Sequence, residues 1–190
     1  MKKPVFLFSG PSGVGKSTLI NFALESFPNI GTTVSCTTRE KRSGEIDGVN
    51  YHFITNETFS NFINQGKFLE YVECYGNKYG TLKQSIEDVL LFKDACILDL
   101  DFAGAYNLIS NNITEENIIG ILILPPSLRS LENRLINRKS ENSETLIKRL
   151  NESFNIKKIA HYKHIIINKS IEESKKDLLN IISKYGIHQS

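Results

Sequence analysis

The octapeptide Gly10-Pro11-Ser12-Gly13-Val14-Gly15-Lys16-Ser17 decides how the chain folds. It follows four apolar residues, Val5-Phe6-Leu7-Phe8, and it precedes a helical pattern over residues 16–26. The octapeptide fits G-x-x-x-x-G-K-[ST] in full, a pattern in which a glycine-rich turn joins a buried strand to a helix. Such a turn gathers backbone N–H groups around phosphate oxygens, and the helix N-terminus adds positive potential. We therefore expect a nucleoside triphosphate to bind at residues 10–17 together with Thr18.

Two side chains of this turn predict a phosphoryl-transfer site. Lys16 is expected to bridge the β- and γ-phosphates, and the hydroxyl of Ser17 is expected to help hold Mg²⁺. A carboxylate near the metal is commonly found at the end of a neighbouring strand, and Asp99 in Leu98-Asp99-Leu100-Asp101 is the candidate, acting through water. Asp101 suits a helix N-cap as well as it suits a ligand.

The rest of the chain alternates between buried-strand and helical patterns, which favours an α/β fold. Strands are expected over residues 5–8, 32–36, 96–100, 118–124 and 165–167, with helices between them. Continuous apolar strands separated by helices are typical of a mostly parallel sheet covered on both faces, hence a three-layer α/β/α core. We expect one domain with core segments 1–34, 82–137 and 151–190. A polar insertion with short strands spans about 35–81, and a second, smaller insertion spans about 138–150.

Composition and charge exclude several classes of protein. Of 190 residues, 40% are hydrophobic and 23% are charged, which is ordinary for a globular chain. Lys and Arg number 23 against 21 Asp and Glu, so the net charge is only +2. A dedicated nucleic-acid binder usually carries a strong basic excess, so we expect no nucleic-acid partner.

Apolar runs and cysteines give the expected location. The longest apolar run, residues 118–124, is far shorter than the ~20 residues that cross a bilayer, and residues 5–8 are too few for a secretory signal. Cys36, Cys74 and Cys96 have no C-x-x-C spacing, which favours reduced thiols. We expect a cytoplasmic protein without a membrane partner, either a monomer or a homodimer.

Motifs along nearly the whole chain resemble those of the guanylate kinase family. The stretch SCTTREKRSGEIDGVNYHF, residues 35–53, is similar to the family signature. FLEY at 68–71, GNKYGT at 76–81, DLD at 99–101 and PPS at 125–127 follow in order, and then a run from Arg134 through Arg138 to Arg149. The resemblance implies an ATP:GMP phosphotransferase that uses Mg²⁺ and takes ATP and GMP or dGMP as its small-molecule partners.

The resemblance also implies an acceptor site for the monophosphate. Arg39 and Arg42 can fork onto phosphate oxygens, and Tyr51 and Tyr79 can donate phenolic hydrogen bonds. In the family the position of Glu70 accepts two hydrogen bonds from guanine. The implied acceptor residues are Ser35, Arg39, Arg42, Tyr51, Glu70, Tyr79, Thr81 and Asp101.

Further roles come from the resemblance alone. Arg138 and Arg149 match lid arginines that neutralise charge in the transition state, so the implied catalytic residues are Lys16, Arg39, Arg138 and Arg149. Asn168 matches a position close to the adenine of ATP, but an N-cap-like turn residue is an equal alternative.

Two rival functions stay open at this point. One is a guanylate-kinase-like module that binds proteins, against which the intact Gly15-Lys16-Ser17 argues. The other is a P-loop kinase for a different phosphorylated small molecule, such as a sugar phosphate, against which Glu70 and Thr81 argue. An ATP turnover assay separates the first rival, and a panel of acceptors separates the second.

Overall fold

The computed structural model describes residues 2–74, 76–110, 117–136 and 159–189. Its centre is a parallel sheet of five strands in the order β2-β7-β1-β8-β9. The strands are β1 (Pro4–Ser9), β2 (Ile30–Thr32), β7 (Ala95–Asp99), β8 (Asn117–Leu124) and β9 (His164–Ile167). The expected α/β fold with a mostly parallel central sheet is confirmed.

Six helices are present among the described residues: α1 (Lys16–Ser26), α2 (Asn56–Asn64), α3 (Lys83–Phe92), α4 (Phe102–Ser110), α5 (Leu128–Ile136) and α6 (Ile171–Ser183). Local sequence explains two of the starts. The Thr55 hydroxyl accepts from the Thr58 N–H at 3.1 Å, and the Ser170 hydroxyl accepts from the Glu173 N–H at 3.2 Å, as helix N-caps do.

The central sheet is buried on both faces because alternate side chains of each strand point to opposite layers. On β1, Phe6 and Phe8 pack in one apolar cluster that contains Leu19 of α1 and Leu178 of α6. Val5 and Leu7 pack in a second cluster that contains residues of α3 and α4. All six residues of β1 are buried, as the apolar run 5–8 predicts for a central parallel strand.

A second, four-stranded sheet holds the polar insertion. Its order is β4-β3-β6-β5, formed by β3 (Cys36–Thr37), β4 (His52–Phe53), β5 (Phe68–Cys74) and β6 (Asn77–Leu82). Phe59 of α2 stacks on Phe68 at 4.4 Å between ring centroids, and this contact covers one face. Strand β6 was missed as a separate element in the sequence, because its polar residues lack a clear alternation.

The single strand expected over residues 32–36 is wrong. Residues 30–32 pair with β7 in the central sheet, whereas Cys36 and Thr37 pair with β4 and β6 in the second sheet. No glycine or proline separates residues 32–37, so the sequence does not show the change of sheet between the two pieces.

One part of the expected architecture falls on undescribed residues. The lid that the resemblance implies at about 138–150 lies outside the described residues. Within the part of the chain that is described, no helix is both long and apolar enough to cross a bilayer.

We predict that Gly10 is required for the junction between β1 and α1. A Cβ there would lie 2.4 Å from the backbone carbonyl oxygen of Ile123, so Gly10→Ala should lower the free energy of unfolding by about 3 kcal/mol. Urea unfolding followed by circular dichroism measures the loss.

Gly186→Ala is the matched control for Gly10→Ala. Gly186 also has a positive φ, of 78°, but no described heavy atom lies within 4 Å of its added Cβ. This control should lose only about 1 kcal/mol, through backbone strain. Equal losses for the two variants would contradict the argument from close approach.

Candidate active site

The glycine-rich turn wraps around an open space at the carboxyl end of β1. Gly13 and Gly15 have positive φ values of 79° and 98°, which only glycine adopts without strain. No described side chain caps α1 at its N-terminus. Its first N–H groups are therefore available to an anion, which a helix N-terminus attracts.

The Val14 carbonyl oxygen anchors this turn to the other end of the chain. The Asn168 side-chain amide, 4% exposed, donates to it at 2.7 Å. The Asn168 Oδ1 in turn accepts from the fully buried Ser174 hydroxyl at 3.0 Å. The Asn168 side chain thus holds the turn in place through both of its polar atoms and does not face the cavity beside it.

Arg134 makes a second brace from α5. Its Nη1 donates to the Val14 carbonyl at 3.3 Å and its Nη2 donates to the Asn168 carbonyl at 2.9 Å. One guanidinium therefore joins the turn to the segment after β9. Its planar fork suits two acceptors at fixed separation, which a lysine could not replace.

Lys16 and Asp99 form an ion pair at the mouth of the turn. The Lys16 ammonium donates to Asp99 Oδ1, and their side chains are 18% and 41% exposed. Burial lowers the pKa of Lys16 to about 8, while the negative charge of Asp101 opposes this shift. The lysine is therefore held extended, with its charge beside the space that the turn encloses.

The oxygen atoms near this ion pair suit a hard divalent cation. Ser17 is exposed on the first turn of α1, and both Ser17 and Asp99 line the same cavity of about 340 Å³. Magnesium prefers oxygen ligands and keeps several waters, so a hydroxyl, a nearby carboxylate and phosphate oxygens fit it.

That cavity joins the two sheets. It is lined by Gly10, Pro11, Ser12, Gly13, Gly15, Lys16, Ser17, Thr18, Tyr51, Asp99 and Asp101. Tyr51 belongs to the insertion, whereas the other residues belong to the central sheet and its connections. The Val14 side chain is fully buried, so this residue can offer the cavity only its backbone.

On the insertion side, Arg39 is held by a carboxylate that the sequence reasoning did not include. Nη1 and Nη2 of Arg39 donate to the two oxygens of Glu45 at 3.0 and 2.7 Å. The backbone N–H of Arg42 donates to the same carboxylate at 2.8 Å, and the Arg42 residue is exposed. These hydrogen bonds lower the pKa of Glu45 to about 2, so it is charged at any physiological pH.

Two tyrosines complete this cluster. The ring of Tyr51 lies edge-on to the ring of Tyr79 at 6.0 Å, and the Arg39 guanidinium lies 5.6 Å from the Tyr51 ring centre. The hydrogen bonds to Glu45 are the main cause that raises the pKa of Arg39, and the nearby Tyr79 hydroxyl adds to the rise. The structure therefore brings Arg39, Tyr51 and Tyr79 together, and Glu45 joins the backbone of Arg42 to them, while their role as an acceptor site stays a prediction.

Deeper in the insertion, Ser35, Glu70 and Thr81 form a polar pocket. Glu70 of β5 and Thr81 of β6 are register partners, and the Ser35 and Thr81 hydroxyls lie 3.1 Å apart. Thr81 is 1% exposed, so its hydroxyl needs these partners.

Glu70 is an unusual carboxylate in this pocket. Burial raises its pKa from 4.5 to about 7, hydrogen bonds from Thr81 oppose the shift, and the charge of Asp101 adds to it. Because folding raises the pKa, the ionised Glu70 opposes folding increasingly as the pH rises from 4.5 to 7. A ligand that donates hydrogen bonds to both carboxylate oxygens would relieve this cost.

Of the two alternatives that the sequence left open for Asp101, the helix N-cap is confirmed, and the ligand role stays a prediction. The Asp101 Oδ1 accepts from the Gly104 N–H at 2.7 Å, so Asp101 caps α4, and it also lines the cavity. Of the expected site residues, Arg138 and Arg149 alone lie outside the described residues.

Sequence reasoning missed Glu45, Arg134 and Ser174. Glu45 stands three residues after Arg42, and Arg134 opens the last matching motif, so a signal existed for both. Ser174 lies inside an ordinary amphipathic helix, and its contact with Asn168 is apparent only after folding.

Comparisons of the sequence with known proteins show which family the chain resembles. The family model described as guanylate kinase matches residues 1–185. A guanylate kinase of Clostridium perfringens is 40% identical over 179 residues, covering 94% of this chain and 82% of that protein. A guanylate kinase of Clostridioides difficile is 39% identical, with coverage of 96% and 89%.

A solved structure of a guanylate kinase has a similar fold. The crystal structure of guanylate kinase from Anaplasma phagocytophilum matches with a TM-score of 0.70 and 27% identity. The match covers 96% of this chain and 86% of that one. Because the family model spans residues 1–185 and these relatives are about 40% identical over most of both chains, the chain belongs to the guanylate kinase family, whose members are ATP:GMP phosphotransferases.

Proposed function

We propose that this chain transfers the γ-phosphoryl group of ATP to GMP, giving ADP and GDP, with Mg²⁺ accompanying ATP. The observation that carries the proposal is the shared cavity, in which the glycine-rich turn and Tyr51 of the arginine cluster face one another. A phosphoryl donor and an acceptor phosphate must meet in this way for direct transfer.

On the donor side, the backbone of residues 10–18 binds the triphosphate and Lys16 holds the β- and γ-phosphates. The Lys16–Asp99 ion pair supports this role, because it keeps the ammonium extended toward the phosphate position. Ser17 would hold Mg²⁺, with Asp99 acting through water, and the ion would neutralise charge on the phosphates. Asn168 acts here through the turn that it braces.

On the acceptor side, Arg42 and the tyrosines bind the GMP phosphate, and Arg39 contributes its remaining N–H groups. Glu45 offsets part of the positive charge and fixes the direction of the Arg39 fork. The GMP phosphate is largely ionised at neutral pH, since its second pKa is ~6. The attacking oxygen therefore needs no protein base, and catalysis consists of positioning and charge neutralisation.

Glu70, Ser35 and Thr81 read the base. The ionised Glu70 carboxylate accepts from guanine N1–H and the 2-amino group together, whereas adenine offers neither donor. Asp101 adds an acceptor at the same end of the pocket.

Arg138 and Arg149 are proposed to close over the phosphates as lid arginines. The cytoplasmic location and the monomer or homodimer state stay predictions.

The first test is ADP release with ATP and a panel of acceptors: GMP, dGMP, AMP, UMP and none. We expect GMP to exceed AMP in kcat/KM by a factor on the order of 10⁴, because unpaired buried groups penalise the wrong base. Lys16→Ala, which removes the phosphate-bridging charge, should abolish most transfer without unfolding the protein. Turnover with no acceptor, or equal use of GMP and UMP, would contradict the proposed reaction.

The pH dependence of GMP use tests the role of Glu70. Guanine needs the ionised carboxylate, and the pKa of Glu70 in the free protein is about 7, so this titration alone should lower the KM for GMP about tenfold from pH 6 to pH 8. The GMP phosphate titrates near pH 6 and adds a further change of about twofold, so the whole fall is about twentyfold. Glu70→Gln should keep only the twofold dependence, and a variant that keeps the whole change would exclude Glu70 as the source of the larger part.

Ser174 should act on ATP through Asn168 and Val14. Ser174→Ala leaves the buried Asn168 Oδ1 without its donor, so the turn loosens, and we expect a three- to tenfold rise in the KM for ATP with little change in the KM for GMP. Initial rates at varied ATP and fixed GMP measure this effect.

Ser170→Ala is the control for Ser174→Ala. It removes the N-cap of the same helix, at a cost of about 1 kcal/mol, but its hydroxyl bonds Glu173 rather than Asn168. If both variants lose stability and leave the KM for ATP unchanged, Ser174 serves only the packing of α6.

A further inference from the structure

Gly104 stands in the first turn of α4 with no backbone reason to be glycine. Its φ is not among the positive values found for eight other glycines, and its N–H makes an ordinary capping bond to Asp101 at 2.7 Å. Alanine is the better helix former at such a position. Glycine here must therefore supply something other than conformational freedom.

Gly104 leaves room beside its Cα, and the carboxylates of Glu70 and Asp101 occupy that room. A Cβ at this position would lie 2.9 Å from Glu70 Oε2, 3.2 Å from Asp101 Oδ1 and 3.3 Å from Val72 Cγ1. The distance to Glu70 is shorter than real Cβ contacts allow. The nearest atoms are all side-chain atoms, so a methyl group would displace side chains rather than the backbone.

Of these three neighbours, Glu70 is the one free to move. Asp101 is held by the N–H of Gly104 itself, and Val72 belongs to a paired position of β5 opposite Tyr79. The Glu70 carboxylate is the far end of a flexible side chain, and its known partner is Thr81. A methyl group at position 104 would push this carboxylate away from α4.

We propose that Gly104 is a specificity-determining residue, whose missing side chain provides the space that aligns Glu70 with the guanine edge. The inference rests on the proposed role of Glu70 as the base reader. Gly104 touches no substrate and acts only by positioning that carboxylate against the N-terminal turn of α4. The positive end of the helix also favours a carboxylate there.

The test is Gly104→Ala, assayed with GMP and AMP at saturating ATP and with ATP at saturating GMP. We expect the KM for GMP to rise about 10- to 100-fold, since small misplacements of an aligned group have effects of this size. The ratio of kcat/KM for GMP over AMP should fall by a similar factor. The KM for ATP should stay the same, and the stability to urea should not fall.

Two comparisons distinguish positioning from a general structural effect. In a Glu70→Gln background, Gly104→Ala should change the GMP to AMP ratio by less than about twofold, because the reader is already lost. In the wild-type background, moving Glu70 out of its buried place should shift the pH dependence of the KM for GMP to lower pH. Equal effects of Gly104→Ala in both backgrounds would overturn the proposal.

Gly31→Ala is the steric control. Its Cβ would also crowd a side chain, 2.6 Å from Val89 Cγ1, but in β2 and α3, away from the pocket. It should lower stability and leave the GMP to AMP ratio unchanged. If wild-type protein does not prefer GMP, the proposed function fails. If it does and Gly104→Ala keeps that preference, the assignment of Gly104 alone is overturned.

Discussion

The hydrogen bonds to the Val14 carbonyl hold together the part of the molecule on which all the rest depends. A turn that offers its N–H groups to phosphates cannot use those groups to hold itself, so it must be fixed from outside. Asn168 and Arg134 do this, from the segment after β9 and from α5. Both can reach the turn because parallel strands end at the same edge of the sheet, and β8 separates β1 from β9.

The same edge gathers charges that are largely balanced before any substrate binds. Lys16 is paired with Asp99, and Arg39 is paired with Glu45. These pairs hold long side chains in fixed positions, which lowers the entropy lost when a ligand binds beside them. In the proposed reaction, each phosphate then binds side chains that are already ordered and does not have to order them.

The polar pocket of Ser35, Glu70 and Thr81 differs, because there two carboxylates lie close together instead of opposite charges. Glu70 and Asp101 approach one another across the space at Gly104, and the charge of Asp101 adds to the rise in the pKa of Glu70. Burial raises the pKa of Glu70, so the empty pocket is unfavourable for its charge. Such a pocket gains most from a ligand with two adjacent donors, and the proposed selectivity for guanine rests on this gain. Stability at neutral pH is reduced in exchange for recognition.

The sequence alone determined the elements with strong local signals. The glycine-rich turn and α1 over residues 16–26 follow from short-range spacing, and the structure has both where they were expected. The grouping of Arg39, Arg42, Tyr51 and Tyr79 also followed from the resemblance, because these residues lie in continuous motifs. Tertiary structure alone decided the change of sheet between Thr32 and Cys36, the brace from Ser174, and the space at Gly104. Each of these depends on contacts between segments far apart in the chain, and periodicity records which residues face inward but not which residue they meet there.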